Sequence, residues 1–141
     1  MNSPMDWALR PLKHYADFEG RSPRSEYWWF TLFQWLVYVV LCVLFFVGAA
    51  GSGPAGPGAF SWVVFAVGML FLMAMFIPNL AMFVRRLHDQ DLSGWFILLS
   101  FIPYIGGIIA IVFMCIRGTN GPNRFGSDPF GGERHLEQVF A

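Results

Sequence analysis

A chain of 141 residues is long enough for one ordinary soluble domain or for a small membrane bundle. Apolar residues make up 56% of it and charged residues only 13%, about half the charged share of a typical soluble domain. Net charge is zero, so there is no basic field to hold a nucleic-acid backbone, and that class of partner is excluded.

Residues 1–26 form an amphipathic, mixed-charge segment, with Arg10, Lys13, Arg21 and Arg24 set against Asp6, Asp17, Glu19 and Glu26. They do not read as a cleavable signal peptide, because the apolar run that follows exceeds the roughly 7–15 residues of a signal core. Ser22-Pro23 predicts a helix start, with Ser22 as N-cap and Pro23 as the first helical residue. Glu26 then falls in the first turns, where the helix dipole favours an acid.

Residues 27–49 are uncharged and form the first predicted span, since crossing about 30 Å of hydrocarbon takes about 20 helical residues. Tyr27-Trp28-Trp29 opens it with rings suited to the headgroup level. Gln34 and Tyr38, one turn apart, mark a face turned toward protein. The connector at 51–58 is rich in Gly and Pro and free of charge, which is compatible with an antiparallel helical hairpin.

Residues 60–84 form the second span, kinked at Pro78, where Asn79 is placed to cover a freed carbonyl. Residues 95–116 form the third, entered through Asp91 or Ser93 as N-cap. Pro103 and Gly106-Gly107 interrupt it, and Gly106 with Ala110 gives a small-xxx-small pair. We read this stretch as a full span, with a broken or re-entrant segment as the alternative. The tail, 117–141, is dense in turn residues.

The fold expected is therefore an all-α, polytopic membrane protein with three transmembrane helices. An N-terminal segment (1–26), a membrane domain (27–116) and a tail (117–141) follow one another. The N-terminal segment carries four Lys and Arg, the first connector none, the second two and the tail three. With three full spans the positive-inside rule puts the N-terminus and second connector in the cytoplasm and the tail outside.

The sharpest local pattern is Arg85-Arg86-Leu87-His88-Asp89. In a helix Asp89 lies at i+4 from Arg85 and i+3 from Arg86, so one carboxylate can serve both guanidiniums. Such a group marks topology and also has the donors to hold a lipid phosphate. Glu26 shares that side and is expected to pair with Arg85 or Arg86. Arg21, Arg24, Glu26, Arg85, Arg86, His88 and Asp89 thus form a candidate polar cap or lipid-headgroup site.

In the tail, Asn123, Arg124 and Asp128 form a candidate turn, with Arg124 and Asp128 expected to tie it together. Residues 121–126 have the outer spacing of a phosphate loop but lack its Lys-Ser/Thr, and the nucleotide reading fails. The three histidines, His14, His88 and His135, lie in separate segments without metal-ligand spacing, so no metal or cofactor is expected. Cys42 and Cys115 both sit in apolar stretches and read as small apolar residues. No nucleophile–base–acid set is readable.

Several of these blocks together resemble a known family. They are Tyr15-Ala16-Asp17-Phe18-Glu19-Gly20-Arg21, Arg24 through Phe30, Arg85 through Asp89 with Ser93-Gly94-Trp95, and Gly121 through Gly126 with Asp128-Pro129. In that order they resemble the bacterial domain-of-unknown-function family 805, over approximately residues 13–129. The resemblance implies a small polytopic protein of the bacterial inner membrane and supplies no reaction, ligand or catalytic residue. The connector at 51–58 departs from the family pattern in its Gly and Pro content.

The function expected is a non-enzymatic accessory or scaffold subunit. Its partners would be the lipid bilayer with its anionic headgroups and a larger membrane protein or further copies of itself. A small oligomeric transporter or channel is the alternative, resting on Gln34, Tyr38, Asn79 and the break at Pro103–Gly107. A lipid-modifying enzyme using Arg86, His88 and Asp89 comes third.

Overall fold

The structure is a computed structural model and describes residues 3–53 and 56–131. It is helical throughout, with α1 (Pro4–Lys13), α2 (Arg24–Ala50), α3 (Ala59–Asp89), a 3-10 helix (Gly94–Phe101) and α4 (Gly106–Cys115) in chain order.

Helix α1 is nucleated locally. The Ser3 hydroxyl accepts from the Asp6 amide, the Asp6 carboxylate accepts from the Ser3 amide, and Pro4 supplies a preset φ in the first turn. Those hydrogen bonds hold the Asp6 carboxyl below its usual range. Helix α2 begins at Arg24, with Pro23 at its N-cap position. Ser22 makes no side-chain cap: its backbone N–H donates to the Arg85 carbonyl at 3.1 Å, drawing the segment toward α3 instead.

α2 and α3 have 27 and 31 residues, and only 11% of the most apolar window of each is buried against protein. The core helix of a soluble domain would be mostly covered, so these faces are built for lipid. The pair packs antiparallel through Tyr38 on Phe71, with ring centroids 5.4 Å apart, and Phe45 on Phe65, 6.5 Å apart.

The 31 residues of α3 extend about 46 Å at 1.5 Å each, against about 30 Å of hydrocarbon. α3 carries no charge before Arg85, so its uncharged part runs from Ala59 to Val84, and tilt together with the kink at Pro78 accommodates the surplus length. Proline at 78 has no N–H for the carbonyl of Ala74. That carbonyl accepts instead from the Tyr15 hydroxyl at 2.5 Å. Asn79, expected to cover it, is occupied elsewhere: it exchanges two hydrogen bonds with Gln34, both 2.9 Å.

The third apolar stretch takes its broken, re-entrant form. Pro103 ends the 3-10 helix, and Ile102 before it is extended (ψ 123°) as a pre-proline residue must be. Tyr104 at φ +68° turns the chain back. Gly106 then packs so closely that a Cβ there would lie 2.2 Å from the Ser100 carbonyl oxygen. Phe96 lies edge-on to Phe113, 6.3 Å away, so the two arms run side by side.

Both ends of this hairpin sit at the same end of the molecule. Arg86 donates to the Ile116 carbonyl and Gln90 to the Phe113 carbonyl. A straight third span would have carried the tail to the opposite end; the described part of the tail packs under α3 beside the N-terminal segment. Hydropathy could not separate these cases, because a 22-residue apolar stretch suits one long helix or two half-length arms equally.

This arrangement predicts the outcome of cysteine labelling in a Cys42→Ala, Cys115→Ala background. An impermeant maleimide should modify Lys13→Cys and Ser127→Cys from one membrane face and Gly53→Cys from the other. Labelling of Ser127→Cys together with Gly53→Cys would restore the three-span topology.

Candidate functional site

Where α3 leaves the membrane, its last turns meet the N-terminal segment, the hairpin end and the tail. Asp89 is the junction. Its carboxylate accepts from Arg21 Nε at 3.0 Å and from Arg86 Nη1. Its carbonyl accepts from the Thr119 amide at 2.8 Å and the Thr119 hydroxyl at 3.2 Å. Gly118 is needed beside it, because a Cβ there would lie 2.0 Å from Asp89 Oδ2.

Arg21 spans the gap between α3 and the tail. Besides Asp89 it donates to the Thr119 and Gly121 carbonyls, both at 2.6 Å. Arg86 is wholly buried and donates to Asp89, to the Ile116 carbonyl and to the Ser22 carbonyl at 3.5 Å. Arg85, about 100° around the helix from Arg86, faces α2 rather than Asp89. It meets buried Glu26 at 3.2 Å, and the second Glu26 oxygen lies 3.8 Å from half-buried Arg10.

The expectation that Asp89 serves both Arg85 and Arg86 is therefore corrected. Neighbouring residues on one helix diverge, and each guanidinium takes the acid on its own side. Three buried cations (Arg21, Arg85, Arg86) face two buried carboxylates (Glu26, Asp89), and main-chain carbonyls take further donors of Arg21 and Arg86. Buried charges persist only when paired and hydrogen-bonded, and here the pairs join segments far apart in sequence.

The remaining candidate residues divide. Arg24 is exposed and reaches only the Cys115 carbonyl, at 3.4 Å. The His88 ring lies parallel to Phe125 at 3.9 Å while Asp89 points into the arginines, so the doublet does not act together. Asn123 donates to the His88 carbonyl at 2.9 Å and closes a tight turn with Gly126. Arg124 pairs with Asp91 at 3.1 Å, not with Asp128; Asp128 instead accepts from the Gly121 and Phe130 amides. The turn is thus closed on itself by Asn123, Gly126 and Asp128, while Asn123 and Arg124 dock it against the end of α3. His135 lies outside the described residues.

Sequence reasoning missed Tyr15, Gly118 and Thr119. Tyr15 was legible only through the proline rule that frees the carbonyl four residues before Pro78. The roles of Gly118 and Thr119 depend on the hairpin returning, which no local pattern announces.

Gln34 and Asn79 hold each other through a reciprocal pair of hydrogen bonds between α2 and α3.

The fold and this cap define a small helical membrane protein whose apolar hairpins are gathered at one end by an arginine–carboxylate network. Comparison with known proteins gives the family. A family model described as "Protein of unknown function (DUF805)" matches residues 15–127, and the chain belongs to that family. Among its relatives is the inner membrane protein YhaI of Escherichia coli (strain K12), 42% identical over 125 residues, covering 89% of this chain and 96% of the relative. The inner membrane protein YhaH of the same strain is 42% identical over 126 residues, covering 89% and 97%. No solved structure matches the chain.

Two substitutions probe the cap and the amide pair. Asp89→Asn leaves Arg21 and Arg86 buried without a countercharge and should cost about 3–5 kcal/mol, whereas Arg24→Gln at an exposed position should change stability by less than about 0.5 kcal/mol. Thermal unfolding in detergent measures both, and equal losses would remove Asp89 from its central place. For the amide pair, Gln34→Leu or Asn79→Leu alone should cost about 1–3 kcal/mol by orphaning its partner, while the double replacement should be nearly neutral. Additive losses in the double variant would mean that the two amides act separately.

Proposed function

We propose that this protein is a non-enzymatic, multi-pass scaffold or accessory subunit of the bacterial inner membrane. It binds a larger membrane partner through its apolar surface and anionic lipid headgroups through the rim of its cap. One observation carries this reading. The residues with most chemical potential, Arg21, Glu26, Arg85, Arg86 and Asp89, are buried and engaged with one another, leaving them to hold the chain together.

The surface left for partners is of two kinds. The spans present a broad apolar and aromatic face, including Trp35, Phe46, Trp62 and Phe76. Arg24 and Arg117 are exposed near the point where the hairpin rejoins the cap, at a depth suited to phosphates. Every Lys and Arg of the described residues lies in a segment at the cap end and none in the connector, which supports a cytoplasmic cap.

Crosslinking in native membranes, read by mass spectrometry, tests the partner. A stoichiometric second protein crosslinked along α2 or α3 is the expected result. Contacts only between copies of this chain would replace the accessory role with a homo-oligomer. In the same preparation, Arg24→Gln with Arg117→Gln should reduce co-purified phosphatidylglycerol relative to phosphatidylethanolamine, and an unchanged ratio would remove the headgroup contact.

A further inference from the structure

The cross-section of this molecule differs between its two ends. Toward the connector only α2 and α3 are present, and they part enough to leave an apolar groove of about 360 Å³ lined by Leu41, Phe45, Phe65 and Leu72. At the cap end the same pair is joined by α1 packed on α2, by the Tyr15–Phe18 stretch against α3, and by both arms of the hairpin.

The hairpin is matched in length to one leaflet. Its outward arm has 8 residues in a 3-10 helix, about 16 Å, and its return arm 10 α-helical residues, about 15 Å. Half of a roughly 30 Å hydrocarbon layer is about 15 Å. No charge interrupts residues 92–116, and Phe101, Tyr104, Ile108 and Ile111 all point away from the protein, Tyr104 with 99% of its surface free. The outward arm follows α3 directly, with the Leu92 amide donating to the Leu87 carbonyl, and the return arm is pinned to the cap by the Arg86 and Gln90 hydrogen bonds, which keeps the hairpin out of the far leaflet.

We infer that the protein is a one-leaflet wedge, whose ligand is a lipid surface convex on the cap side. Each helix occupies a disc of about 10 Å diameter, so adding the two hairpin arms roughly doubles the area that α2 and α3 take from the cap-side leaflet. Area added to one leaflet is accommodated at least cost where that leaflet is stretched by bending, as for other inserts buried in a single leaflet. This inference rests on the shape of the chain and is independent of any protein partner.

Tube pulling from giant vesicles tests it with the full chain. Ser127→Cys in the Cys42→Ala, Cys115→Ala background carries a dye on the cap side, and the vesicles contain phosphatidylethanolamine and phosphatidylglycerol. An impermeant quencher outside the vesicle separates cap-out from cap-in molecules within one sample. Cap-out molecules should be enriched about twofold in narrow tubes over the vesicle wall, and cap-in molecules depleted. Equal densities of the two, or enrichment of cap-in molecules, would overturn the inference.

A variant with Phe101→Ser, Ile108→Ser and Ile111→Ser seats the hairpin less deeply and should lose most of the difference between orientations. An undiminished difference would show that the hairpin is not its source. If that variant fails to fold, the comparison of orientations in the unmodified hairpin decides alone.

Discussion

The Asp89 carboxylate accepts from two buried guanidiniums that arrive from different parts of the chain, Arg21 from the N-terminal segment and Arg86 from its own helix. Its carbonyl takes the tail through Thr119. A single residue thus joins three segments at the point where α3 leaves the membrane. Removing the acid would strand two cations, and removing either cation would leave the acid half-paired. Because the penalty for an unpaired buried charge exceeds the net gain from the pair, such a junction specifies the fold more than it stabilises it. The alternative arrangements of the tail and hairpin are disfavoured by the charges they would leave unpaired.

Several features then follow from one another. Arg86 can reach the Ile116 carbonyl only if the third apolar stretch comes back, and Pro103, Tyr104 and Gly106 supply the reversal. The returning chain places Gly118 against Asp89, where no side chain fits, and sets Thr119 and Gly121 to receive Arg21. Asn123 and Arg124 dock the next turn on α3 through the His88 and Asp91 carbonyls. Each step supplies acceptors that the arginines need and that a solvated loop would have given to water.

The sequence made part of this legible. Uninterrupted apolar length with charges only at the ends declares the two long helices, because hydrocarbon admits little else. Glu26 could be tied to the α3 cluster from sidedness alone, since both flank spans at one face. The choice of Arg85 over Arg86 could not, because it depends on how α2 and α3 are rotated about their axes, and lipid-facing helices carry little amphipathic signal to fix that rotation. The re-entrant hairpin was readable as a weak point at Pro103–Gly107 but not as a return, since the signal for its return lies in what Arg86, Gln90 and Asp89 bind. The freed carbonyl at Ala74 was predictable from Pro78; its partner, Tyr15, lies 59 residues earlier.

The blocks that carry the family resemblance are also the blocks that build the cap. Tyr15 to Arg21 supplies the Ala74 and Asp89 contacts; Arg24 to Phe30 supplies Glu26; Arg85 to Asp89 supplies the junction; and Gly121 to Gly126 supplies the docked turn. The charged groups of those blocks that pair with one another, Arg21, Glu26, Arg85, Arg86 and Asp89, face inward, while Asp6, Asp17, Glu19 and Asp91 stay exposed around them. A polar signature turned inward in this way reads as the means of holding a hairpin in one leaflet. On the function proposed above, such a molecule acts through the shape and surface it presents to the membrane and to its partners.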